Sequence, residues 1–354
     1  MSDEPVDLST GLSCPLPISE YKRILLAHGG GGRLTNQLIK SIFLTVFNNS
    51  ILSSLHDGAV FDIGSTRIAY STDSYVVNPI FFPGGNIGDL AVNGTVNDLA
   101  MCGADPLYLS VGFIIEEGLL IEDLVRVVEG IERAARRAGV SIVTGDTKVV
   151  DRGKGDKIYV NTSGIGIVFE GVDIKPQNVR VGDKIIISGK IAQHGISIMS
   201  VREGLEFGTT VESDTAPLNH LVKSILRVTK NIHMMRDPTR GGLASSLNEI
   251  AEAANVGIFI IERSIPIDEE VKSACELLGF DPLYVANEGK MIIVVPPSEV
   301  DIVLNIMHNH PLGRDAAVIG EVVDSHHGTV VMKTRIGGMR VVDMLTGEQL
   351  PRIC

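Results

Sequence analysis

The stretch NIGDLAVNGTVNDLAMCGA, residues 86–104, anchors the reading of this chain. Its pattern is that of a helix with small residues on one face, stopping at Gly103. Upstream, FDIGSTRIAYSTDSYVV (61–77) has the alternation of a hairpin whose second strand runs into Ser71-Thr72-Asp73-Ser74. Before it, the glycine run 29–32 leads to Leu34, Leu38, Ile39, Ile42, Phe43 and Phe47, the spacing of an amphipathic helix over about 33–47. Downstream, residues 119–139 form a surface helix with Leu124, Val127, Val128 and Ile131 inward. A buried strand, VSIVTGD (140–146), and a further strand at 158–169 follow.

The polar segment EGVDIKPQNVRVGD (170–183) divides the chain. Beyond it come the strand KIIISG, a helix at 195–204, a helix near 216–229, a loop, helix and strand from His233, and a further helix at 268–279. The strand MIIVVPP, the helix 298–310 and two closing strands complete the order. Neither half alternates strictly between strand and helix, which favours two α+β domains over a parallel doubly wound sheet. The expected boundaries are an extension at 1–21, domains at 22–172 and 173–334, and a flexible tail at 335–354 of low apolar density.

With 31 basic and 43 acidic residues, the net charge of −12 disfavours nucleic acid and anionic membrane as partners. No apolar run reaches the roughly 20 residues of a membrane span, and the acidic, Pro-containing start is no signal peptide. The four cysteines, Cys14, Cys102, Cys275 and Cys354, are far apart and lack CxxC spacing, which suggests reduced thiols in the cytoplasm. The 38 glycines suggest loops that approach a ligand closely.

Four carboxylates stand out: Asp73 in STDS, Asp98 in VNDLA, Asp146 in TGDTK and Asp237 in RDPTRGG. Gathered from several elements, such groups suit Mg²⁺ bridging to nucleotide phosphates; taken singly, each is equally a helix or turn cap. HGGGGR (28–33) offers backbone N–H groups and Arg33 ahead of a helix, an anion cradle or a simple linker. It lacks the Gly-Lys-Ser/Thr ending of a P-loop. RDPTRGG repeats the theme with Arg236 and Arg240 at a helix start. Lys148 ends an apolar strand, and Glu288 and Lys290 sit in a loop before another, where a carboxylate of tuned pKa can act as a base. Cys102 and Cys275 have core contexts.

Taken together, STDSYVVNPIFFPGGNIGDLAVNGTVNDLA, VTGDTKVV, RDPTRGG, NEGK and the ending LPRIC resemble the HypE family, the carbamoyl dehydratases that mature nickel–iron hydrogenases. The resemblance runs from about Lys22 to Cys354. It implies an aminoimidazole ribonucleotide synthetase-like fold whose N-terminal domain pairs into a β-barrel across a homodimer. It also implies ATP between the domains, held by His28, Gly29, Gly30, Gly31, Asp73, Asn97, Asp98, Asp146, Thr147, Asp237 and Arg240. Mg²⁺ would be bound by Asp73, Asp98, Asp146 and Asp237. Cys354 would receive a carbamoyl group from a HypF-type carbamoyltransferase and be dehydrated to a thiocyanate, with Glu288 as base and Lys148 beside it. The cyanide would pass to an iron-carrying HypC–HypD-type complex. Selenophosphate synthetase is the nearest rival, but its reactive residue sits in the glycine-rich loop, where this chain has His28. A thiamine-monophosphate kinase would leave the PRIC ending unexplained. A non-catalytic, ATP-gated scaffold would not require a modified Cys354.

Overall fold

The computed structural model of the chain describes residues 23–204, 210–347, 350 and 352–354. The extension expected over 1–21, with Cys14, lies outside the described residues, as does Pro351. The amphipathic stretch after the glycine run forms α1 (Arg33–Leu38), a wider-wound segment at Ile39–Phe43, and α2 (Leu44–Phe47). β1 (Ala59–Ile63) and β2 (Thr66–Tyr75) make the hairpin, with Ile63 opposite Thr66.

The short pair β3 (Phe81–Phe82) and β4 (Gly85–Asn86) delivers the chain to α3 (Ile87–Met101). The Asn86 side chain caps this helix by accepting from the Gly88 and Asp89 N–H groups at 2.7 and 3.3 Å. β5 (Ala104–Glu116), α4 (Ile121–Ala138), β6 (Ser141–Val150) and β7 (Ile158–Val168) complete the domain. Its sheet runs β1-β2-β7-β5-β6, with β5 and β6 parallel.

α3 lies across β2, β7 and β5, and every residue of it except Asp98 is buried. The small residues permit this approach. A Cβ on Gly94 would stand 1.9 Å from the Tyr75 hydroxyl. Gly94→Ala should therefore overpack the helix–sheet contact and destabilise the domain by about 1–3 kcal/mol, measured by thermal or urea unfolding.

Two expectations change here. β6 is not buried: it is an open sheet edge, and every residue of it but Val150 is exposed. The sheet does not close into a barrel within the chain. Val128 is also exposed, because α4 turns Val127, Gly130, Ile131, Ala134, Ala135 and Ala138 inward instead.

The second domain adds β8 (Lys184–Ile187), α5 (Gln193–Arg202), α6 (Asn219–Val228), β9 (Met234–Arg236), α7 (Gly242–Ala254) and β10 (Gly257–Ile261). It continues with α8 (Glu269–Leu278), β11 (Ile292–Val295), α9 (Val300–His308), β12 (Ala317–Val323), β13 (Val330–Lys333) and β14 (Met339–Val342). The mixed sheet runs β14-β13-β10-β12-β8-β11-β9. The described residues of the tail are held in part: β14 pairs with β13, and Val342, Leu345, Ile353 and Cys354 are buried. Ile336, Met339 and Val341 of the same tail stay exposed, so burial there is confined to a few points. Among the described residues no helix is long and apolar enough to cross a membrane.

Candidate active site at the carboxyl terminus

Carboxylates from three elements converge between the domains. Asp57 precedes β1, Asp98 is the outward residue of α3, and Asp237 follows β9; one oxygen of each lies within 4.8 Å of the others. Asp98 Oδ2 accepts from the Ser71 hydroxyl at 2.6 Å. Asp57 pairs with Arg236 at 3.1 Å, whose other arm holds Glu249 at 2.6 Å. Burial pushes Asp98 and Asp237 well above the usual carboxylate range, reinforced by Asp237 at the first and Asp57 at the second. Burial raises Asp57 as well, with Arg236 opposing. Asp57 Oδ2 is buried with no hydrogen-bond partner among the described residues. A crowd of mutually repelling oxygens with an idle acceptor is the donor set a hard divalent cation takes. Asp73 adds its field to Asp98, Asp237 and Glu288 but stands outside the group of three.

The last residue of the chain enters the same region. Cys354 is 5% exposed, and its Sγ lies 3.4 Å from Arg240 Nη1. Burial pushes the thiol well up, with Arg240 opposing and Glu288 and Asp73 reinforcing. Glu288 is 3% exposed, and its Oε1 has no hydrogen-bond partner among the described residues. Burial, then Asp237, Asp73 and Asp214, pushes its carboxyl well above the ordinary glutamate value; Arg240 pulls the other way. The loop is fixed from behind, where the Glu288 N–H donates to Asp214 at 3.1 Å and Lys290 pairs with the same carboxylate at 3.2 Å. The glycine run closes the far side. A Cβ on Gly31 would meet the Arg240 carbonyl at 2.7 Å, and one on Gly32 the Leu345 carbonyl at 2.2 Å. Gly30 lines a small cavity with Arg240, Gly241 and Ile353, and His28 is buried close by in the chain.

The structure thus gathers Cys354, Glu288, Arg240, Asp73, Asp98 and Asp237. It does not bring Asp146, Thr147 and Lys148 to them. These lie exposed on β6, where Lys148 pairs with Asp146 at 2.6 Å instead of facing Glu288. The physical reason is that β6 is the outer edge of the sheet. Asn97 is employed as a strut between domains: its Oδ1 accepts from the Leu218 N–H at 2.7 Å and its Nδ2 donates to the Ala216 carbonyl at 3.1 Å. Asp57 escaped the sequence reading, although HDGAV places an acid beside Gly just before a strand, the context that marked the other acids.

The fold and this inter-domain site define a class. Residues 55–168 match the family model of the AIR synthase related protein N-terminal domain, and residues 180–333 that of its C-terminal domain. The chain is 53% identical to the carbamoyl dehydratase HypE of Bradyrhizobium diazoefficiens over 93% of its own length and 95% of the relative's. It resembles the HypE of a HypE–HypF complex with a TM-score of 0.83 and 47% identity, covering 87% of this chain and 99% of that one. A HypE crystal structure in complex with ATP aligns with a TM-score of 0.80 and 49% identity, over 94% and 100% of the two chains. The chain belongs to the HypE family of carbamoyl dehydratases.

Proposed function

We propose that the chain dehydrates an S-carboxamide on its own Cys354 to a thiocyanate, driven by ATP, and so supplies cyanide for the iron of a nickel–iron hydrogenase. The observation that carries this reading is the terminal sulfur, buried 3.4 Å from Arg240 in the cleft that also holds Glu288 and the acidic trio. The carbamoyl donor is a HypF-type carbamoyltransferase, consistent with the relative solved as a HypE–HypF complex. The acceptor is an iron-carrying HypC–HypD-type complex, and the setting is cytoplasmic. ATP binds between the domains, as its relative's complex suggests. Asp57, Asp98 and Asp237 hold Mg²⁺, with Asp73 beside them.

ATP supplies the phosphoryl group that turns the poor amide oxygen leaving group into a good one. Phosphorylation at the oxygen gives an imidoyl phosphate as the nitrogen sheds its first proton; Glu288 takes the second as the C–O bond breaks, the C≡N bond forms and inorganic phosphate leaves. Arg240 holds the sulfur end in place and offsets negative charge growing nearby. The free thiol seen here stands where the modified sulfur would sit. Buried and held protonated, it is a poor nucleophile there, so it accepts the carbamoyl group only when withdrawn from the cleft. Intact mass of the chain and its C-terminal peptide, after incubation with carbamoyltransferase, carbamoyl phosphate and Mg·ATP, tests the reading. A gain of HNCO followed by loss of one water, both on Cys354, supports it; ATP turnover with Cys354 unmodified rejects it.

We further infer a homodimer in which two β6 edges complete a barrel. The support is the unpaired edge itself and the exposed apolar residues on its sheet: Val143, Val149, Tyr108, Ile114, Ile165 and Ile167. A trough of about 540 Å³ between α4 and the sheet lies open beside it. Such an edge on a monomer invites pairing. A second copy would also bring Asp146, Thr147 and Lys148 to a partner's nucleotide. Val143→Lys should convert dimer to monomer in light scattering; an unchanged mass would reject this interface.

A further inference from the structure

We infer that His194 is the positioning residue that docks the carboxyl-terminal segment for dehydration. The terminal residues lie between the two domains, turning at Arg352, where φ is +54°, and are gripped on both edges. On the N-terminal domain side, the Val76 N–H donates to a main-chain carboxylate oxygen of Cys354 at 3.1 Å and the Asn78 N–H to the Arg352 carbonyl at 3.2 Å. The intervening carbonyl, that of Ile353, faces the other way. His194 Nε2 lies 2.8 Å from it.

The imidazole is fixed for that single task. It is completely buried on α5, and the ring of Phe82 meets it edge-on at 5.6 Å and 86°. Its Nδ1 lies 2.7 Å from the Ser213 hydroxyl. That hydroxyl accepts from the Thr215 N–H at 3.2 Å and keeps its own proton to give to Nδ1. A carbonyl can only accept, so Nε2 must carry the ring's proton. The Ile353 contact selects the tautomer, the Ser213 hydroxyl matches it by donating to Nδ1, and burial, which lowers the imidazole pKa, favours the neutral ring. Ser213 is tied in turn to the N-terminal domain by its N–H, which donates to the Pro83 carbonyl at 2.8 Å. The donor that holds the tail is therefore pre-oriented by both domains. Without it, the Ile353 carbonyl would be buried unsatisfied in the docked state, and the balance would move toward the withdrawn tail.

This rests on the reading that Cys354 carries the carboxamide, and it separates two steps. Docking serves dehydration, whereas loading by the carbamoyltransferase uses the withdrawn tail. The test uses the full chain as wild type, His194→Ala, His194→Gln and His194→Asn. The first measurement is the rate of alkylation of Cys354 by iodoacetamide, located on the C-terminal peptide by mass. It reports the withdrawn population whether or not dehydration occurs. Loss of one buried hydrogen bond should speed alkylation about tenfold in His194→Ala.

The second measurement is single-turnover dehydration of carbamoylated protein at saturating ATP. It should fall by about the same factor, with the carbamoylation rate not reduced. Gln places an amide N–H near Nε2 and should restore both; Asn is too short to reach Ile353 and should behave as Ala. The Gln–Asn comparison keeps the test intact should Ala not fold. Wild-type alkylation rates in both Ala and Asn variants would overturn the inference, as would a Gln variant no better than Asn. Carbamoylation falling in step with dehydration would also overturn it. A wild type that alkylates as described but never loses water would instead reject the proposed reaction, leaving the docking contact standing.

Discussion

Cys354→Ala should carry no carbamoyl group after incubation with donor and carbamoyltransferase, and should form no cyanide, a complete loss and not a partial one. The sulfur is the atom modified, so no neighbouring residue can substitute for it. Cys102 and Cys275 are buried in the core and cannot serve as alternative acceptors. The same variant should still bind nucleotide. The thiol is no part of the Asp57–Asp98–Asp237 group, whose geometry depends on β1, α3 and β9. Addition of Mg·ATP should therefore raise its melting temperature as much as the wild type's. Carbamoylation that persists in the mass of Cys354→Ala would place the acceptor elsewhere and remove the reason for the docked tail. Loss of the ATP-induced shift would mean that the terminus helps to build the nucleotide site.

How much of this could be read from residues alone varies with how local each signal is. The helix at 86–103 and the hairpin before it were legible because both are set by short-range spacing and by glycines at their ends. The same holds for the helices that became α1, α4, α6 and α8. Strand burial was not legible. VSIVTGD is as apolar as a core strand, yet becomes an edge, because pairing order is a long-range property of the sheet. Asp73 and Asp237 were found by their settings beside Ser, Thr and Gly and Asp98 by its helix of small residues, while Asp57 was missed; no spacing could show that Asp98 and Asp237 converge while Asp146 does not. Asn97 shows the same limit: its place in a motif suggested a ligand, but no spacing could show that its amide bonds Leu218, 121 residues further on, and the Glu288 carbonyl. The tail looked loose because its apolar residues are few; what docks it is main-chain pairing to Val76 and Asn78 and one histidine 159 residues away.

Glu288→Gln should leave carbamoylation of Cys354 and ATP binding intact while slowing dehydration by about 10²–10⁴, the usual range for losing a positioned general base. Gln keeps the size of the side chain, and the main-chain hydrogen bond from residue 288 to Asp214 does not involve it, so the loop should hold its shape. Only the carboxylate form can accept a proton. Because burial and the acidic neighbours raise the Glu288 pKa well above its ordinary value, wild-type dehydration should rise with pH through that raised pKa. Glu288→Gln should lack this limb of the profile. Stability gives a second readout of the same group. A carboxyl whose pKa is raised by folding stabilises the native state most below its unfolded pKa, and that contribution is lost as pH rises through the folded value. Wild-type melting temperature should thus decline over this window where that of Glu288→Gln does not. A Gln variant that dehydrates at the wild-type rate would remove Glu288 from the chemistry. One that keeps the pH-dependent rate limb at reduced amplitude would assign the titration to another acid of the cleft, with Asp237 the first candidate, as the strongest charge acting on Glu288 and itself raised by burial.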